Sequence, residues 1–164
     1  MSTRPTPSLK PRYATPRNPA RPSDGGKEAR IAEALGTPFL PWQRMVSDVF
    51  GEIDPDTGTY YYDTLVLTVQ RQAGKTTRER ATETRNALWG PNRRVWYLAQ
   101  TGKDASQQFR EYITGFDKSP LAPLAASKRM SNGSMCLTLK NGSTIQPGGT
   151  TDSGGHGFQG DSLT

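Results

Sequence analysis

Thr64-Leu-Val-Leu-Thr-Val69 runs directly into Gln70-Arg-Gln-Ala-Gly-Lys-Thr-Thr77, and this junction decides how the chain is read. The first six residues are threonine, valine and leucine, the composition of a strand covered on both faces, as in the parallel sheets of α/β proteins. A polar helical stretch follows to about Trp89, and Gly90-Pro91-Asn92 stops it. Gly74-Lys75-Thr76 therefore lies between a buried-type strand and the start of a helix. In that setting loop N–H groups wrap a phosphate, a lysine reaches the β/γ-phosphates, a Ser/Thr hydroxyl ligates Mg²⁺, and the helix end favours the anion. The tripeptide alone says little; its place between strand and helix gives it weight.

One departure matters. The usual G-x-x-x-x-G-K-[ST] pattern would begin with glycine at position 69, where this chain has Val69. Arg71 instead brings a second cation into the loop. It could reach a γ-phosphate or swing away from it, as an arginine supplied in cis for the charge of phosphoryl transfer. The plainer reading is a surface arginine on an exposed loop.

Downstream, Arg94-Val-Trp-Tyr-Leu-Ala99 predicts a second buried strand. Thr101 followed by Asp104 has capping-box spacing, and Ala105, Phe109, Tyr112, Ile113 and Phe116 form one helical face. Strand, loop, helix, strand and helix in this order predict a right-handed βαβ unit. Beyond Pro120 the pattern turns to β: Lys128 to Met130, Met135 to Leu139, the hairpin signal Asn141-Gly142, and Ser143 to Gln146. A glycine-rich stretch, 148–160, leads to Asp161-Ser-Leu-Thr164.

Upstream, Lys27 to Leu35 is a short amphipathic helix, with Ala29, Ala32 and Leu35, or Ile31 and Leu35, on one side. Pro41 suits a first helical position, after which Trp42, Met45, Val46, Val49 and Phe50 recur at helical spacing. Asp54 to Gly58 is turn chemistry between short extended pieces at Ile53 and at Tyr60 to Tyr62, which predicts a small hairpin.

The 164 residues carry a formal charge of +6, and its distribution decides what it means. Residues 1–30 hold seven Lys/Arg against two Asp/Glu, a net +5, which leaves +1 for the remaining 134. Six prolines between positions 5 and 22, with hardly an apolar side chain, predict an extended or disordered arm over 1–26. That arm could touch DNA or a partner, or be a solvated leader. Cys136 alone cannot form an internal disulfide, and with His156 the only histidine no Cys/His zinc set is available. No window reaches the roughly 18 apolar residues of a membrane span, and the start has no apolar signal core, so the expectation is a soluble intracellular protein.

Leu67-Thr-Val-Gln-Arg-Gln-Ala-Gly-Lys-Thr-Thr77 resembles the deviant Walker A loop of the large terminase subunits of tailed bacteriophages, which reads Arg-Gln-x-Gly-Lys-Thr. Phe39-Leu-Pro-Trp-Gln-Arg44 is similar to that family's adenine-side glutamine motif, and 94–105 to its next strand and turn. Asn141 to Ile145 followed by Gly155 to Gly160 is similar to the hairpin and glycine turn before its Walker B strand. The resemblance spans 37–164. It implies a RecA-like P-loop NTPase fold, an α/β architecture with a mostly parallel sheet flanked by helices, here incomplete. It implies ATP and Mg²⁺ as cofactors, Lys75 and Arg71 as catalytic groups, and Gln72, Ala73, Gly74, Lys75, Thr76 and Thr77 around the phosphates. Thr76 would hold Mg²⁺ and Gln43 would read adenine. Many relatives have an arginine near the position of His156.

The implied function is the ATP-binding portion of a motor that packages double-stranded DNA into proheads. Its partners would be DNA, a small terminase subunit, the portal and further copies of itself. Its place would be the host cytoplasm and, transiently, the prohead portal. The Asp-Glu that hydrolysis needs would sit on a strand expected to begin at Leu163, and the acidic nuclease domain would follow it; neither is in these 164 residues. Residues 27–164 are thus expected to be the first part of an ATPase domain, poorly folded and weakly nucleotide-binding by themselves. Two other readings share these residues: a helicase-like P-loop ATPase, and a non-catalytic product that binds DNA or a partner through the arm.

Overall fold

A computed structural model describes residues 11–149 and 161–163. The chain divides into two compact units, Met1–Gly26 with Phe39–Thr68, and Lys27–Pro38 with Val69–Thr164.

The second unit is built on a five-stranded sheet of order β2-β3-β4-β1-β5. Its strands are β1 (Arg94–Ala99), β2 (Ala125–Arg129), β3 (Cys136–Leu139), β4 (Thr144–Gly149) and β5 (Ser162–Leu163). β1 runs parallel to β4 from Arg94↔Thr144 to Ala99↔Gly149, and parallel to β5 at Val95↔Ser162. The β2–β3 and β3–β4 pairs are antiparallel. The expected mostly parallel sheet is therefore a mixed one: two parallel and two antiparallel pairings among the described residues. The cause lies in the connections. Asn141-Gly142 makes a tight reversal, with Gly142 at φ +83°, and a two-residue turn can join only antiparallel neighbours.

Two helices pack on this sheet, α3 (Lys75–Leu88) and α4 (Gly102–Asp117). α4 starts as its sequence predicts, the Thr101 hydroxyl accepting the Asp104 N–H at 3.1 Å. All five residues of its predicted apolar face are buried. With Val95, Leu137, Leu139 and Ile145 from the strands they form most of the core. Ten residues, Gly25–Ala34, form α1. Its buried face is Glu28 and Ala32, with Leu35 just beyond the helix packed against the core, rather than the wholly apolar face expected.

In the first unit α2 (Pro41–Phe50) begins at its proline and ends at Gly51. Its fully buried residues are Gln43 and Ser47, while Trp42, Met45 and Val46 are half-buried. The small hairpin forms: Ile53 bridges Tyr60, and Gly58, at φ +69°, donates its N–H to the Asp54 carbonyl at 2.8 Å. Residues 17–24 fall in the stretch expected to stay extended or disordered, yet they are tied in place. Glu52, wholly buried, accepts the Asn18 N–H at 2.7 Å and pairs with Arg21 at 3.0 Å and Arg17 at 3.1 Å. Ser23 donates its hydroxyl to the Asp48 carbonyl at 2.7 Å. Burial alone would raise the Glu52 carboxyl, but the Asn18, Arg21 and Arg17 donors outweigh it and hold the group below the usual carboxylate range.

The expected strand at 64–69 is not one. No ladder includes these residues, and Val66 is 86% exposed. The physical reason is pairing: a β-rich run becomes a strand only when it hydrogen-bonds to another, and none of the described strands pairs with it. Without that first strand the predicted βαβ unit is not formed either.

Candidate functional site

The loop 70–74 enters α3 through two left-handed residues. Gln72 has φ +62°, unusual for a residue with a side chain, and Gly74 has φ +90°, where glycine costs least. Gly74 is the N-cap of α3, and no side chain caps that helix. A helix start of this kind turns its first N–H groups and the positive end of its dipole toward whatever lies ahead of it.

Lys75, the first residue of α3, is 56% exposed at its side chain, and Nζ stands 3.5 Å from Glu79 Oε1 one turn on. Thr76 is half-buried and lines a cleft of about 440 Å³ with Arg80, Asp104, Gln107, Gln108 and Glu111. Arg71 and Gln72 are exposed, Ala73 and Thr77 half-buried. The structure thus brings Gly74, Lys75 and Thr76 to one helix end and leaves Arg71 on an exposed turn beside them. Gln43 lies in the other unit. It is 1% exposed, and its Oε1 accepts the Leu40 N–H at 2.6 Å, so it caps α2. Leu40 has no polar side chain to do so. His156 lies outside the described residues. Asp161 stands just before β5, its carboxylate accepting the Arg94 N–H at 2.8 Å. Cys136 is a half-buried residue of β3, as its sequence context predicts.

What sequence reasoning missed is how buried this polar helix is. Arg78, Thr82, Glu83, Thr84 and Arg85 are all buried, and polar links take the place of an apolar face. Arg78 pairs with Glu28 of α1, Nη2 to Oε1, at 3.5 Å. Burial lowers the Arg78 guanidinium, opposed by Glu28 and Glu79. The Thr82 hydroxyl also donates to Glu28. Thr84 and Tyr112 share a hydrogen bond at 2.9 Å, and Arg80 reaches the Gln108 carbonyl at 3.2 Å and Glu111 at 3.1 Å. Tyr97 donates its hydroxyl to Gln108; burial, with Glu79 and Glu83 nearby, pushes that phenol up to about 12. Glu28, four residues before Ala32 and seven before Leu35, was the one signal in the sequence, since that spacing places a carboxylate on the apolar face.

No protein-family model matches the chain, and no curated protein matches it. Among solved structures, the crystal structure of the HK97 bacteriophage large terminase aligns with a TM-score of 0.66 at 15% sequence identity. The chain shares its fold with a phage large terminase. The match covers 84% of this chain and 30% of that one, so the likeness concerns less than a third of the larger protein. Among the described residues no helix is long and apolar enough to cross a membrane.

Proposed function

We propose that this chain is the ATP-binding portion of a phage large terminase, a P-loop motor that couples ATP hydrolysis to packaging of double-stranded DNA. The observation that carries the reading is the left-handed Gly74 turn into Lys75-Thr76 at the start of α3, in a chain that shares its fold with such a protein. The donor set fits a magnesium nucleotide. Lys75 is accessible to phosphate oxygens, Thr76 offers a hydroxyl to Mg²⁺, and the left-handed Gly74 turns the chain where a Cβ would be strained.

When bound, ATP supplies the phosphoanhydride and Mg²⁺ draws charge from its oxygens. The chain's own residues then bind and orient. Lys75 would leave Glu79 for the β/γ-phosphates, the backbone from Gln72 through Thr77 would cradle them with Ala73 and Gly74 at its centre, and Arg71 would swing in from its exposed turn. The partners in this reading are DNA, a small terminase subunit, the portal and further copies of the chain, in the host cytoplasm and at the prohead.

Titration of the chain with a fluorescent magnesium nucleotide tests it. Lys75→Ala should weaken binding by at least about tenfold, and Thr76→Ala should remove the dependence on Mg²⁺. Binding indifferent to both changes would refute the assignment.

A further inference from the structure

The first two turns of α3 have almost nothing apolar to hold them. Of Lys75-Thr-Thr-Arg-Glu-Arg-Ala81 only Ala81 is a buried apolar residue. Interlocked apolar side chains ordinarily fix where a helix sits. Here polar links must do it. Arg78 closes the first turn, its N–H reaching the Gly74 carbonyl at 3.3 Å, and its guanidinium, 3% exposed, meets Glu28 at 3.5 Å. Glu28 is 2% exposed. Thr82, one turn further, gives its hydroxyl to the same Glu28 oxygen and stands 3.1 Å from the Arg78 carbonyl. One carboxylate on α1 thereby holds two successive turns of α3, within a single compact unit.

A buried ion pair adds little net stability, because desolvation takes back most of the coulombic gain. Its value lies in fixing geometry. We propose that Glu28 is a positioning residue: through Arg78 and Thr82 it pins the start of α3 and so sets Gly74-Lys75-Thr76 in place for a nucleotide's phosphates. The proposal rests on the nucleotide-binding reading above. A second link joins the pair to the loop. Arg78 also feels the charge of Glu79, one residue on, the same group that Lys75 meets at 3.5 Å. In Glu28→Gln, Arg78 would be left to Glu79 and would compete for the partner of Lys75. Glu28 thus keeps the two cations of this turn on separate carboxylates.

The experiment is a double-mutant cycle on the full chain with Glu28→Gln, Arg78→Gln and the pair together. It is read by the dissociation constant for a fluorescent magnesium nucleotide and by amide hydrogen exchange resolved at 75–82 and at 94–99. Gln keeps the shape and one acceptor oxygen of Glu28. We expect Glu28→Gln to weaken nucleotide binding by about tenfold, and the doubly neutral pair to recover to within about threefold of the parent. Exchange at 75–82 should speed up in Glu28→Gln while 94–99 keeps its protection. Single effects that simply multiply in the double variant would overturn the proposal, as would equal loss of protection in helix and strand, which marks a general scaffold role. Lys75→Ala run alongside separates the two claims. If it binds like the parent, the nucleotide reading falls; if it loses binding while Glu28→Gln does not, only the positioning role falls.

Discussion

Glu52→Gln should release residues 17–21 from the first unit, and its size can be worked from the contacts. The carboxylate is wholly buried and receives three donors: Asn18 N–H at 2.7 Å, Arg21 at 3.0 Å and Arg17 at 3.1 Å. Glutamine keeps one acceptor oxygen but sets an NH₂ against a guanidinium and removes the charge. Losing one partner of a buried, hydrogen-bonded pair costs about 3–5 kcal/mol, whereas a hydrogen bond to a charged group is worth about 1.5–3 kcal/mol. The arginine side chains keep 32% and 20% of their exposure and can return to water, which favours the lower range. A value of about 2 kcal/mol corresponds to about a thirtyfold rise in the open population of the segment.

Trypsin reads that population directly, because cleavage after Arg17 needs its side chain freed from Glu52, while Arg12, exposed in the same arm, serves as reference. The ratio of cleavage at Arg17 to that at Arg12 should rise about thirtyfold in Glu52→Gln at neutral pH. A change under about threefold would refute the claim that Glu52 holds the arm. The pH dependence has a definite sign. The folded carboxyl lies below its unfolded value, so its stabilisation is complete above that value, about 4.3, and is lost as pH falls through the folded one. Protection of the Asn18 amide in the parent should therefore converge on that of Glu52→Gln in acid and exceed it at neutral pH.

Three further changes probe the second unit, each followed by urea or thermal denaturation. Tyr112→Phe removes the buried hydroxyl bonded to Thr84 and should cost about 1 kcal/mol, with Thr84 still bonded to the Arg80 carbonyl at 2.7 Å. Asn141→Ala should cost about 1–3 kcal/mol, because its amide ties the Ala87 and Gly90 carbonyls to the hairpin at 2.9 and 3.0 Å and accepts the Ser143 N–H at 3.0 Å. Gly149→Ala should cost about 1–3 kcal/mol, since a Cβ there would stand 2.7 Å from the backbone nitrogen of Gly102 and force β4 away from the start of α4.

Local signals in the sequence were legible where one segment contains its own explanation. α4 follows from Thr101, Asp104 and five apolar residues at helical spacing; the β3–β4 reversal follows from Asn141-Gly142, and α2 from Pro41. Each needs only neighbours within a few turns. The Gly74-Lys75-Thr76 end of α3 was legible for the same reason, since Gly74 need only adopt a left-handed conformation and the next residues a helix.

Long-range partnership was not legible, and it governs the absent strand at 64–69 and the buried charges. Composition can say that Thr64 to Val69 suits a strand buried on both faces, but a strand also needs a partner, and none of the described strands pairs with this run. Glu28, Glu52 and Arg78 look like solvated charges one at a time. They become buried determinants only because Glu28 meets α3 some fifty residues on and Glu52 meets the arm more than thirty residues back. Hydrophobic periodicity records where apolar side chains go and is silent on charges that are buried in pairs. The polar character of α3 follows from this. With little apolar surface of its own, α3 is placed by carboxylates and hydroxyls supplied from α1 and α4, and the arm's +5 is partly spent inside the fold on Glu52.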